Sequence, residues 1–232
     1  LELVSLVSPL VVILILYEYS RSLAFRLEPA IDYNLPLSVE NVLFGAPLAV
    51  YFQSASFWLF NLVFSIVYSL HPTYFILLLL YLLIYRKDLY KHALVAVTIA
   101  SGIAIALYIF WPVAPPWIAV PGITRIPNYV FRILGIEKSI DPNAYAAMPS
   151  MHVAYAYFFA YYSLVIGRRS KRLIVLAGRL ILLLMPITVI YTGNHYLLDV
   201  LAGIGVAVLS IEVANIVYRK IQPSWVVFMR QS

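Results

Sequence analysis

Cysteine is absent from the 232 residues, which excludes disulfides, thiolate nucleophiles and Cys-ligated metals. Charge is scarce too. Asp, Glu, Lys and Arg make up 11% of the chain, against roughly 25% in a soluble domain. Acidic residues are the rarer sign, 10 against 16 basic, for a net charge of +6. So few charges cannot clothe a water-soluble globule of this length. The apolar–polar alternation of a transmembrane barrel is also missing. Much of the basic excess flanks apolar runs, so nucleic acid is not an expected partner. What abounds is hydrophobicity, at 63% of residues, in runs approaching the roughly 20 residues that cross a bilayer. The sequence predicts an all-α polytopic membrane protein, with residues 1–232 as one integral membrane domain.

Six spans are expected. The first runs from about Leu3 to Tyr19 and does not read as a cleaved signal peptide, because Glu2 stands where a basic n-region would be. Ser20 to Glu40 reads as a loop with interfacial pieces. Val39 to Tyr68 is apolar but broken by Gly45, Pro47 and Gln53, which points to an interfacial or re-entrant helix. The second span covers about Val63 to Tyr85, kinked at His71-Pro72; the alternative splits Ala55 to Tyr85 into two short spans. The third is His92 to Phe110, the fourth Ser150 to Ile166, the fifth Leu173 to Tyr191, the sixth Tyr196 to Tyr218. Between the third and fourth lie 39 residues with Pro112, Pro115, Pro116, Pro121, Pro127 and Pro142. A loop that long is often functional.

Six spans put ten basic residues on one side: Arg86, Lys87, Lys91, Arg168, Arg169, Lys171, Arg172, Arg219, Lys220 and Arg230. The opposite loops hold Arg21, Arg26, Arg125, Arg132 and Lys138. The positive-inside rule then makes both termini cytoplasmic and the proline-rich loop extracytoplasmic. With no eukaryotic targeting signal, a prokaryotic plasma membrane is the simplest location. Arg179 and Glu212 fall inside spans five and six at similar depth, which reads as a structural ion pair or interfacial snorkelling.

The polar groups gather on the outer side. His195 and Asp199 open span six at i and i+4, which places them on one helical face. A carboxylate beside one ring nitrogen fixes the tautomer and leaves the other as nucleophile or base. Met148-Pro149-Ser150-Met151-His152 opens span four. Ser150 reads as its N-cap, the free N–H groups from Met151 onward as an anion seat, and His152 as a proton donor. Trp111 to Trp117 follows span three, with Pro115, Pro116 and Trp117 walling a head-group cavity or forming an aromatic belt. Arg125 and Arg132 of the same loop could each hold a phosphate bidentately. Tyr191, Asn194 and Tyr196 complete the candidate head-group pocket. His71 and His92 lie away from the outer histidines on this topology, so no metal site and no cofactor are expected.

Three motifs in order, Ala114-Pro115-Pro116-Trp117, Pro149-Ser150-Met151-His152 and His195-Tyr196-Leu197-Leu198-Asp199, give a resemblance. The chain resembles the membrane type-2 phosphatidic acid phosphatase (PAP2) and haloperoxidase superfamily. Within it, the chain looks most like the inositol phosphorylceramide synthase-like phosphotransferases. The resemblance covers about residues 92–211, the expected catalytic core. It implies six membrane helices in a PAP2-like bundle and metal-free phosphohistidine chemistry at the outer surface. It assigns the nucleophile to His195, its orienting carboxylate to Asp199, the acid to His152 and a phosphate-holding role to Ser150. Ala104, Trp111, Met151 and Val189 depart from the plain phosphatase pattern, which has lysine, arginine, glycine and arginine there. The synthase-like branch shares these departures. Arg125 or Arg132 would then replace the lost phosphate ligands.

The implied substrates are a phospholipid or isoprenoid phosphate amid membrane lipids. The expected reaction is transfer of a phosphoryl or phospho-head-group to a lipid or polyol hydroxyl; the alternative is hydrolysis of a lipid phosphate or isoprenyl diphosphate. Transport is disfavoured because the polar groups cluster at one end. Oligomeric state is not legible.

Overall fold

The computed structural model describes residues 30–126, 144–167 and 172–221, with seven helical positions between Ser8 and Ser22. Most of the expected span Leu3 to Tyr19 lies outside these residues. So do Arg132, Lys138, Pro127 and Pro142 of the outer loop, the basic turn 168–171, and Arg230. The described residues form nine helices: α1 (Leu35–Phe44), α2 (Leu48–Ser54), α3 (Trp58–Ser69), α4 (His71–Tyr85), α5 (Lys87–Phe110), α6 (Pro116–Ala119), α7 (Met151–Gly167), α8 (Arg172–Tyr191) and α9 (Leu197–Ile221).

Four stretches are long and apolar enough to cross a membrane: Trp58–Tyr85 (α3 running into α4), Lys87–Phe110, Arg172–Tyr191 and Leu197–Lys220. Counting the bent pair α1–α2 as one span makes five. α7, the expected fourth span, has 17 residues, about 25 Å of helix, against a hydrocarbon layer of about 30 Å. The described residues therefore give four or five spanning helices rather than six.

α7 is the axis of the bundle. Twelve of its residues are buried, on every side, so it lacks the single apolar stripe of a surface helix. α4, α5, α8 and α9 pack around it. α8 shows the opposite pattern. Leu173, Leu176, Leu180, Leu183 and Ile187 are exposed, at the three- and four-residue spacing of one helical face. That face suits lipid, while Gly178 on another face packs against Ala160 and Ser163 of α7, a small-residue contact that lets helices approach closely. Because α8 and α9 each pack on α7, they scarcely meet. Arg179 and Glu212 are both exposed, and the expected ion pair between them does not form.

One end of the bundle collects the chain reversals. α5 stops at Trp111, where Pro112 follows without an N–H to continue the ladder. Val113 then bridges to Asp32 on one side and Ala146 on the other. The Asp32 carboxylate accepts from the Asn34 and Leu35 N–H groups and from the Trp111 indole. Its slight burial raises its pKa, but these three hydrogen bonds outweigh that and hold it below the ordinary value. α1 begins just after this tie. Gly45, at φ +81°, closes α1, and Pro47 starts α2 at a bend of 65°. α2 ends at the Gln53 side chain, whose amide donates to the Thr124 and Tyr191 carbonyls, 2.9 Å each. Both ends of the α1–α2 pair are thus fastened to the same end of the bundle. The other end carries Arg86, Lys87, Lys91, Arg172, Arg219 and Lys220.

Candidate active site

The first turn of α9 organises the site. Asp199 occupies its third position, and its Oδ2 accepts the Tyr196 N–H at 2.8 Å, the return half of a capping box. The same Oδ2 lies 3.5 Å from His195 Nδ1. Asp199 is fully buried and His195 nearly so, at 0% and 4% exposure. With Nδ1 turned to the carboxylate, Nε2 of His195 faces outward from α9. It meets Nδ1 of His152 at 3.4 Å. The two histidines, 43 positions apart in the chain, therefore converge on one point.

Two close backbone approaches bring this about. The Ser150 N–H donates to the Asp199 carbonyl at 3.0 Å. One turn along α9, Gly203 lies so near that a Cβ there would sit 2.3 Å from the Ser150 carbonyl oxygen. Ser150 stands at the N-cap of α7, its carbonyl accepting the Ala154 N–H. Its Oγ is buried and has no hydrogen-bond partner, and Oδ1 of Asp199 is in the same condition. The first turn of an α-helix presents N–H groups that its own ladder does not use. A buried hydroxyl without a partner at such a helix start fits an anion.

The loop strand carrying Arg125 closes one side. Arg125 Nε donates to the Asn194 side chain at 3.2 Å, beside His195, and its guanidinium lies 5.0 Å over the Trp117 ring. The Trp117 N–H in turn donates to Gly193, and that of Ile126 to Thr192. Gly193 has φ +74°, and a Cβ there would also meet Ile123 at 2.8 Å. Pro115 and Pro116 are buried beneath this cluster. Tyr191 turns away, donating its hydroxyl to Asn61 and packing on Phe64 of α3. Tyr196 is fully buried. Among the described residues no group of three or more His, Asp or Glu could hold a metal ion.

Two residues escaped the sequence reading. His71 does not lie away from the outer histidines; its ring centroid is 4.1 Å from that of His152. The signal available was a His-Pro step inside an apolar run. Glu40 is 1% exposed. Its carboxylate accepts the Leu48 N–H at 2.9 Å and the Leu197 N–H at 2.6 Å, tying the start of α2 to the start of α9. A lone glutamate at the edge of an apolar stretch was the only hint. Glu40→Ala would strand both part-buried N–H groups. The expected cost is about 2 kcal/mol, read as a lower thermal midpoint in detergent, with Glu40→Gln intermediate because one acceptor remains.

The PAP2 superfamily pattern matches residues 38–213, which takes in every site residue above. A phosphoinositol dihydroceramide synthase from Bacteroides thetaiotaomicron is 32% identical over 140 residues, 54% of this chain and 45% of that protein. The chain thus spans less than half the length of that relative. The crystal structure of Aquifex aeolicus LpxE superimposes with a TM-score of 0.54 at 22% identity, over 72% of this chain and 92% of that one. That likeness speaks for the fold. Because the family pattern covers most of the sequence, this chain is a member of the PAP2 superfamily, whose general chemistry is phosphoryl transfer or hydrolysis through a histidine.

Proposed function

We propose that the chain is a membrane phosphotransferase that moves a phospho-head-group from a phospholipid donor to a lipid or polyol hydroxyl. The observation that carries this is the convergence of His195 Nε2 on His152 Nδ1 with Asp199 behind His195. In the first step the Nε2 lone pair of His195 attacks phosphorus. The P–O bond to the donor breaks, and His152 gives its proton to the departing oxygen. In the second step the acceptor hydroxyl loses its proton to His152, its oxygen attacks phosphorus, and the P–N bond breaks. Asp199 holds the His195 tautomer throughout. The Ser150 hydroxyl, the first N–H groups of α7 and Arg125 stabilise charge on the remaining oxygens. Transfer rather than hydrolysis is favoured by likeness to a relative named as a synthase, and by the Ala114-Pro115-Pro116-Trp117 and His195-Tyr196 forms.

The placement follows from the charges. The basic end of the bundle is cytoplasmic by the positive-inside rule, so the site opens on the extracytoplasmic face. Among the described residues this reading takes α3–α4, α5, α7, α8 and α9 as crossings, with α1–α2 re-entering from the site side. Incubation with radiolabelled phospholipid and candidate acceptors, followed by lipid extraction, tests the reaction. Acceptor-dependent labelled lipid is expected; free phosphate or free head-group released regardless of acceptor would make the enzyme a hydrolase. Arg125→Ala is expected to cost roughly tenfold or more in turnover, the scale of one charged hydrogen bond. Arg132→Ala is the comparison, and unchanged rates in both variants would remove arginine from the phosphate site.

A further inference from the structure

His71 and Pro72 stand where α3 gives way to α4. In an unbroken helix the N–H of residue 72 would donate to the carbonyl of Tyr68, four residues back. Proline has no N–H, so that carbonyl is left without its ladder donor. His71 supplies one: its Nδ1 is 2.8 Å from the Tyr68 oxygen. A carbonyl only accepts, so Nδ1 carries the proton and the ring is held in one orientation. In that orientation the His71 ring lies 4.1 Å from the His152 ring, and the Tyr68 ring lies 4.4 Å from it at a 32° tilt. The His152 and His195 rings also meet, edge to face, at 5.5 Å between centroids. Aromatic rings packed against an imidazole restrict its rotation.

We propose that the His71-Pro72 step is a positioning device for His152: the proline frees the Tyr68 carbonyl, the carbonyl anchors His71, and the anchored ring, with Tyr68, keeps His152 Nδ1 aimed at the reaction centre. This rests on the reading of His152 as the acid that protonates the departing oxygen. His71 acts through His152 and touches no reacting atom.

The test uses two donors in lipid nanodiscs under single-turnover conditions. One is a phosphodiester whose leaving group is diacylglycerol, which needs a proton to depart. The other is the same phosphodiester with p-nitrophenol as the leaving group, which does not. His71→Leu removes ring and anchor. It is expected to slow diacylglycerol release by about tenfold to a hundredfold, part of the roughly hundredfold to ten-thousandfold that general acid catalysis supplies. KM should hold within about twofold, and the nitrophenol burst should fall at least about fivefold less than diacylglycerol release. His71→Phe, which keeps a ring, is expected to recover part of the loss. Pro72→Ala restores an N–H that competes for the Tyr68 carbonyl; it is expected to show the same leaving-group bias, and it carries the test if His71→Leu does not assemble. Equal slowing of both donors in His71→Leu or Pro72→Ala, or no slowing, would overturn the device. A nitrophenol burst that persists in His195→Ala would instead discard the phosphohistidine reading, a separate failure.

Discussion

Replacing His195 with alanine is expected to lower turnover by roughly four orders of magnitude or more, the scale seen when a covalent nucleophile is removed. The geometry leaves little room for a substitute. His195 is nearly buried, its Nδ1 is directed to Asp199, and only its Nε2 faces His152. His152 could attack phosphorus only by surrendering its role as proton carrier. Asp199→Asn should be less severe. An asparagine oxygen can still accept the Tyr196 N–H, but it no longer stabilises the charge that builds on His195. Initial rates of labelled product in nanodiscs, with protein amount normalised by folded mass, check both. Turnover in His195→Ala within about tenfold of the unmodified protein would mean that another group forms the bond to phosphorus.

Gly203→Ala is expected to be damaging too, for a steric reason. The added methyl would lie 2.3 Å from the Ser150 carbonyl oxygen and 3.2 Å from its carbon. Those are backbone atoms at the start of a buried helix and cannot swing aside. α7 must be pushed off α9, which breaks the Ser150-to-Asp199 backbone bond and parts the two histidines. Overpacking of this kind costs about 1–3 kcal/mol or more, and a displacement near 1 Å at a catalytic group costs roughly a hundredfold in rate. Gly205, two residues on, is the control. Nothing lies within 4 Å of a Cβ placed there, so Gly205→Ala should be neutral or slightly stabilising through helix propensity. Thermal midpoints and rates measured side by side separate the two. Equal behaviour would show that the α7–α9 contact is looser than described.

The membrane class, the helix order and the placement of both histidine motifs at one end of the bundle were legible in the sequence, because apolar run length and i, i+4 spacing are local properties. Glu40 and His71 were not. Their roles depend on which helix passes beside them, and that is settled by packing between segments far apart in the chain. The Tyr68 carbonyl needs a donor because of Pro72, which is local. That the donor's ring should then rest on His152, about 80 residues away, is not. The ion-pair half of the Arg179–Glu212 expectation failed for the same reason: equal depth on consecutive spans was taken for adjacency, whereas α8 and α9 both pack against α7. Span counting was weakest where helices are short, since α7 is buried by its neighbours and need not match the bilayer by itself.

The central claim is a covalent bond between phosphorus and Nε2 of His195. Rapid quench into base after mixing with radiolabelled donor, followed by peptide mapping, measures it directly. The expected result is one acid-labile, base-stable label on the peptide holding His195, absent from His195→Ala and accumulating in His152→Ala when p-nitrophenol is the leaving group. A label on any other residue, or product forming in a single turnover with no labelled protein at any time, would contradict it.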